Sequence, residues 1–296
     1  MVRRLVWLFF LCGAVVSAVA GETGHYVNGV EGVRGSALPP PGFYYRMYNQ
    51  NFQANRLMDG NGDEVNIGFN VDVWATVHRL VLITDHKFLG ADYGCDIVFP
   101  FIRTDLDVDL LGVHDRDEGL GDINVEPLVL AWHGKQWDAA FGYSIYAPTG
   151  GYGANEPASI GKDFWSQMIT VGTNVYFDEP REWHASLLAR YEIHHEKQDE
   201  EITPGNDFHF EWGLGKTVGQ IVDVGVAGYC QWQVTDDKGD DATNTEDRDR
   251  LFGIGPDVNV FIPPYKMFVG LRYITEFDAI DRPEGDSWTL TLTWIF

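Results

Sequence analysis

The sequence predicts an all-β fold, a single antiparallel transmembrane β-barrel of about 12 strands. Three observations predict it. Long stretches alternate apolar and polar residues with a period of two. The connections between them alternate between tight and long. The N-terminus resembles an export leader, and after it no apolar run is long enough to cross a bilayer as a helix.

The elements follow in chain order. Arg3 and Arg4 form a basic start, Leu5 to Val16 is an apolar run, and Ala18-Val19-Ala20 fits cleavage between small residues. Residues 1–20 are therefore expected to be a signal peptide. Phe10 and Leu11 are too bulky to precede a lipid-anchor cysteine at Cys12. Residues 21–41 are expected to stay on the periplasmic side, because so few residues are too short for a plug domain. The barrel then occupies 42–296.

Its strands are expected at 42–56, 64–84, 92–110, 120–132, 136–146, 163–177, 182–194, 207–216, 221–234, 249–262, 267–277 and 288–296. The clearest alternation runs from Val65 to Val77, from Phe208 to Leu214, from Val222 to Val234 and from Trp288 to Phe296. Tight connections fall at 85–91, 133–135, 178–181, 217–220 and 263–266. Longer ones fall at 57–63, 111–119, 147–162, 195–206, 235–248 and 278–287. Short periplasmic turns alternating with longer external loops mark an outer-membrane barrel. An exported chain without a helical span can cross lipid only as a closed barrel, since every backbone group must be paired internally. A secreted β-sandwich shares the alternation. The barrel is preferred for its polar faces inside long strands, its aromatic residues at strand ends, and its terminal Phe296, which resembles the signal read by the outer-membrane assembly machinery.

Composition narrows the partners. Hydrophobic residues make up 45% of the chain, which excludes disorder. Lys and Arg number 21 against 44 Asp and Glu, so a nucleic-acid partner is excluded for want of a basic surface. The expected partners are outer-membrane lipid and lipopolysaccharide, and no cofactor is implied. Cys95 and Cys230 are expected to be isolated thiols, because two cysteines make no framework and show no zinc spacing.

Several motifs make the chain similar to a known family. Leu38-Pro39-Pro40-Pro41-Gly42-Phe43-Tyr44 opens the first strand. Gly121-Asp122 precedes Pro127 and Trp132, and Pro148-Thr149-Gly150-Gly151-Tyr152 leads to Asn155 and Trp165. Pro204-Gly205, Tyr229 with the run Gln231 to Asp237, Gly255-Pro256, Glu276-Phe277 and Arg282-Pro283-Glu284-Gly285 follow. This order resembles the family called "putative MetA-pathway of phenol degradation" over roughly residues 38–296. The resemblance implies an outer-membrane barrel for passive uptake of small hydrophobic or aromatic compounds. It carries no catalytic residues, and the acidic loops are a departure from it.

Alternation nominates a lumen-facing set: Asn70, Asp72, Trp74, Glu126, Trp132, Arg190, His209, Glu211, Tyr229, Gln231, Gln233, Arg272 and Glu276. Arg190 and Arg272 are expected to meet Glu126, Glu211 and Glu276 across the lumen, either as a stiffening polar network or as a selective constriction. Trp74, Trp132 and Tyr229 are candidates for stacking a planar solute, or else belong to the wall. The acidic loops 195–206 and 235–248 read as solvated surface, without the spacing of a calcium loop. His184 and Ser186 share an inward strand face with no orienting third group, so catalysis is not expected. His194 and His195 are adjacent on a strand and point to opposite faces. Gly150-Gly151-Tyr152-Gly153 lacks the Lys and helix of a phosphate loop. The alternative to a channel is a structural barrel, or one that binds lipid or a partner.

Overall fold

The structure, a computed structural model, describes residues 23–243 and 245–296. The expected leader, with Cys12, lies outside the described residues.

Thirteen strands run β1 (Gly42–Met58), β2 (Phe69–Phe88), β3 (Ala91–Val108), β4 (Val113–Leu120), β5 (Ile123–His133), β6 (Trp137–Ala147), β7 (Ser166–Tyr176), β8 (Trp183–His194), β9 (Asp207–Val218), β10 (Val222–Gln233), β11 (Arg250–Ile262), β12 (Met267–Ile280) and β13 (Arg282–Ile295). Each pairs antiparallel with its neighbours, and β13 pairs with β1 from Tyr44↔Ile295 to Met58↔Arg282, which closes the sheet. β4 and β5 pair end to end with β3, along Phe101–Val108 and Asp92–Val98 respectively. They are two halves of one stave, so the barrel has the twelve staves expected. Closure of the other twelve strands leaves no unpaired edge among them, which is the condition for strands to cross lipid, and β4, at the loop end, pairs with β3 alone.

Two expected loops are largely strand. Residues 113–120 of the expected 111–119 loop region are β4, entered through the short turn Asp109–Leu111. Their charges read as loop because they lie on the outer face in ion pairs: Arg116 with Asp105 and Glu118, and His114 with Asp107. The 278–287 region is also strand, turning at Asp281 with φ 53°. There Glu284 points inward and is buried, which the alternation of an exposed loop would not require.

The outer wall carries an apolar belt that includes Leu80, Leu82, Ile169, Val171, Leu187, Leu214, Val224 and Leu290. Phe43, Trp137, Phe177, Trp183, Tyr265 and Phe296 are exposed at the tight-turn end, as an interfacial girdle requires. β1, β2 and β3 span 17, 20 and 18 residues, well beyond the roughly 9–11 that cross a bilayer when tilted. Their loop-end halves therefore stand clear of the belt, and there the polarity inverts. Val71 packs inward with Leu57, Phe69, Leu106, Val108 and Ala158 in an apolar cluster. Asp72 faces outward and accepts hydrogen bonds from Asn51 (2.8 Å) and Gln53 (2.8 Å).

The break between β4 and β5 anchors the 148–165 loop. Asp122 turns out of the ladder and accepts the N–H groups of Gly150 and Lys162, both at 2.8 Å. Thr149 donates its hydroxyl to Gly121 O (3.0 Å) and accepts the N–H of Ile123 (2.9 Å). The backbones meet so closely that a Cβ on Gly150 would lie 2.7 Å from Gly161 Cα and 3.0 Å from Gly121 Cα. The Gly121-Asp122 and Pro148-Thr149-Gly150 motifs are thus one structural staple. A second staple joins the acidic loops. Asp237 accepts from Gly205 N (2.7 Å) and Gln233 (2.8 Å), and Thr235 accepts from Asn206 N (2.7 Å).

Candidate functional site

The lumen is not empty of chain. Residues 23–38, expected to stay outside it, run through it from the loop mouth, where Lys162 holds Thr23, to the tight-turn end, where Tyr44 holds Pro40 O (2.7 Å). The length argument against a plug fails because an irregular strand of this size needs no core of its own. It needs partners for its backbone, and the wall supplies them.

Carboxylates of the wall receive the plug's N–H groups. Glu192 accepts from His25 N and Tyr26 N, both at 3.1 Å. Glu211 accepts from Glu31 N (2.9 Å), and Asp257 from Val33 N (2.9 Å). Arg272 donates to Gly29 O (2.7 Å). Glu31, at the centre, lies 2.8 Å from Arg46 of β1 and 3.0 Å from Arg79 of β2. Two glycines admit the plug. Gly32 has φ +76° and lies against Arg272 and Asp257, and a Cβ on Gly213 of β9 would lie 2.5 Å from Val33 Cα.

The structure sorts the expected lumen set. Glu126, Arg190, His209, Glu211, Tyr229, Gln231, Gln233, Arg272 and Glu276 face inward and are buried or lumen-lining. Arg190 meets Glu211 at 3.0 Å, though between the adjacent strands β8 and β9 and not across the lumen, with its guanidinium over the Tyr26 ring. Arg272 instead meets Asp257 at 3.2 Å, Glu126 meets Arg79 at 3.0 Å, and Glu276 accepts from Tyr229. His209 pairs with Glu192 (3.1 Å), and Gln231 with Asn28 of the plug (2.6 Å). Asn70, Asp72, Trp74 and Trp132 are corrections. The first three face outward because β2's inward face is the Val71, Val73, Ala75, Val77, Arg79 series. Trp74 is 52% exposed. Trp132 turns outward and donates to Leu89 O (3.1 Å).

Arg46, Arg79, Glu192 and Asp257 were missed. Glu192 and Asp257 had a signal: Glu192 shares its face with Arg190, and Asp257 stands opposite Arg272 in the β11–β12 register. His184 and Ser186 face the lumen as expected. Ser186 accepts the N–H of Ser36 (3.1 Å), and His184 lies 3.7 Å from Asp223, a third group that alternation could not name. Both lie beneath the plug, away from the lipid side where an acyl chain would sit. In the loops, Lys197 and Glu200 converge on Tyr152, whose hydroxyl is pushed up to about 12 by burial and by Glu200. Cys95 and Cys230 are free thiols, each half-buried.

Beside the plug, between it and the barrel wall, a cavity of about 400 Å³ remains. Phe52, Val77, Val98, Ile102, Tyr146, Met168 and Leu188 give it an apolar lining, and Gln50, Asn124, Glu126 and Thr170 add polar points. Tyr26, Val30 and Glu31 of the plug form one of its sides.

Comparison with known proteins follows this geometry. Residues 54–292 match the family described as "Putative MetA-pathway of phenol degradation". Among solved structures, the chain is similar to the COG4313 outer membrane channel from Pseudomonas putida F1, at 15% identity and a TM-score of 0.80, covering 92% of this chain and 100% of that one. It is also similar to the translocator domain of autotransporter NalP from Neisseria meningitidis, at 9% identity and a TM-score of 0.50, covering 87% and 90%. At these identities the likeness speaks for the fold. No curated protein matches the sequence. With the family's pattern matched over most of the barrel and the barrel closed as that pattern implies, the chain belongs to the "Putative MetA-pathway of phenol degradation" family.

Proposed function

We propose that the protein is an outer-membrane channel for passive passage of small hydrophobic or aromatic compounds. The observation that carries this reading is the cavity in the lumen. Its volume suits a small organic molecule, its lining is apolar and aromatic, and a few polar groups point into it. Phe52 and Tyr146 offer aromatic rings to a planar solute, and Asn124 and Thr170 offer polar partners to a phenolic hydroxyl. The family's name and the neighbouring channel's description support the same reading. Passage is diffusion down a gradient, and the acidic loops at the mouth disfavour anions. The plug sets the rate, because the cavity opens further only as residues 23–38 shift.

The test is solute flux into liposomes carrying the refolded protein, with phenol and benzyl alcohol set against sugars. Faster aromatic passage supports the reading. Folded protein with no flux for any solute favours a structural barrel, a role consistent with the dense ion pairing between plug and wall.

A further inference from the structure

Near the loop mouth the lumen holds a cluster that passage of an apolar solute does not use. His25 of the plug and His194 of β8 face each other across Ser166 of β7. His25 Nδ1 lies 2.8 Å from Ser166 Oγ, and His194 Nδ1 lies 2.7 Å from the same atom. The opposite ring nitrogens each sit at a carboxylate. His194 Nε2 is 3.2 Å from Asp207, and His25 Nε2 is 3.2 Å from Asp122, close though off the hydrogen-bond line. Glu192 closes the third side, two residues before His194 on the same inward face. One ligand atom from each of His25, Glu192 and His194 lies within 4.8 Å of the other two. The three side chains are at most 2% exposed.

The outer carboxylates decide the chemistry. A metal-bound imidazole presents one nitrogen to the ion and holds the proton of the other toward a carboxylate. Asp207 is placed to hold the His194 proton on Nε2 and Asp122 stands beside His25 Nε2, and with both protons there both Nδ1 lone pairs face Ser166 Oγ. Ser166 has a single hydroxyl proton to give and cannot satisfy both. Glu192 adds a further anionic oxygen from the side. Two imidazole nitrogens thus converge with a carboxylate that already accepts His25 N, Tyr26 N and the His209 ring around one buried position.

We propose that His25, His194 and Glu192 bind a divalent transition-metal ion such as Zn²⁺, with Ser166 or water completing four-coordination. Two nitrogens and one carboxylate are a zinc-type donor set, and imidazole disfavours Ca²⁺ and Mg²⁺, which take oxygen ligands. Zn–N distances of about 2.0–2.1 Å are shorter than the present spacing of the ligand atoms, so the two rings move inward onto the ion. Because His25 belongs to the plug and the other ligands to the wall, the ion ties the plug's start to β8. The metal site stands independently of the solute reading, since its test is binding and not flux.

The test uses the full chain refolded in detergent, shown to be folded by heat-modifiable mobility, and stripped with chelator. Zn²⁺ is titrated by calorimetry and Co²⁺ by visible absorption, both in millimolar Mg²⁺ to occupy the acidic loops. The expected result is one Zn²⁺ per chain and a Co²⁺ spectrum of four-coordinate nitrogen–oxygen ligation. Asp207→Asn weakens Zn²⁺ binding about 10–100-fold, as loss of an outer-shell partner does. His25→Ala, in the plug and outside the strand ladder, weakens it at least as much. His86→Ala, exposed at the tight-turn end, leaves it unchanged. Folded wild-type protein that binds no stoichiometric Zn²⁺ overturns the site, as does binding undiminished in His25→Ala.

Discussion

At Glu31 one carboxylate joins three elements. It faces Arg46 and Arg79 of the wall, accepts from Tyr48 (3.2 Å), and belongs to a plug segment whose own N–H is held by Glu211. Removing one member of a buried charge group leaves its partners unpaired, at a cost of about 3–5 kcal/mol. Arg79 keeps Asp96 and Glu126, so in the wall only Arg46 loses its carboxylate, and the rest of the loss falls on plug docking. Glu31→Ala is therefore expected to raise single-channel conductance in planar bilayers while leaving heat-modifiable mobility intact. Unchanged conductance would show that Glu31 does not hold the plug. The alternation of Arg190, Glu211 and Arg272 was legible residue by residue, because those strands cross the membrane belt with one polar and one apolar face. Asn70, Asp72 and Trp74 were not. They lie on a strand of 20 residues whose upper half leaves the lipid, where the inward face becomes the apolar one. Periodicity fixes which residues share a face, and the solvent outside decides which face is polar.

Among elements, the plug and the loop staple carry most of the consequence. Gly213 leaves room for Val33, and any Cβ there meets its backbone. Gly213→Val should unseat residues 23–41 without disturbing the β8–β9–β10 ladder. Limited proteolysis checks this: the plug should be cut before the barrel, whereas resistance equal to wild type would contradict the packing. Asp122 ties the stave break to the 148–165 loop through two N–H groups. Asp122→Ala is expected to make that loop the first protease site while the barrel persists, and an unchanged cleavage pattern would contradict the staple. Most strands were readable to within a few residues because each binary pattern is long and bounded by turn residues. β4 and the β12–β13 turn were hidden by charges that sit in cross-strand and lumen ion pairs. The plug was hidden for a different reason. It has no periodicity, and the wall side chains that accept its backbone N–H groups lie 150 or more positions away.

For the whole molecule, the parts assemble into a barrel whose outer belt is apolar, whose loop mouth is acidic, and whose lumen is divided. One side is filled by the plug and its ion pairs, and the other is the cavity lined by Phe52, Tyr146, Met168 and Leu188. On the function proposed above, electrostatics would set which solutes approach and the cavity which ones pass. Ala140 lines the cavity and is 7% exposed, so a larger side chain there narrows it from the wall without touching the belt. Trp74 serves as the opposite control, since it lies on the outer face. The decisive measurement is the ratio of phenol flux to sugar flux in liposomes for wild type, Ala140→Phe and Trp74→Ala. Passage through the cavity predicts a wild-type ratio well above that of protein-free liposomes, a collapse in Ala140→Phe, and no change in Trp74→Ala. A ratio that Ala140→Phe leaves intact, from protein shown to be folded, would contradict it.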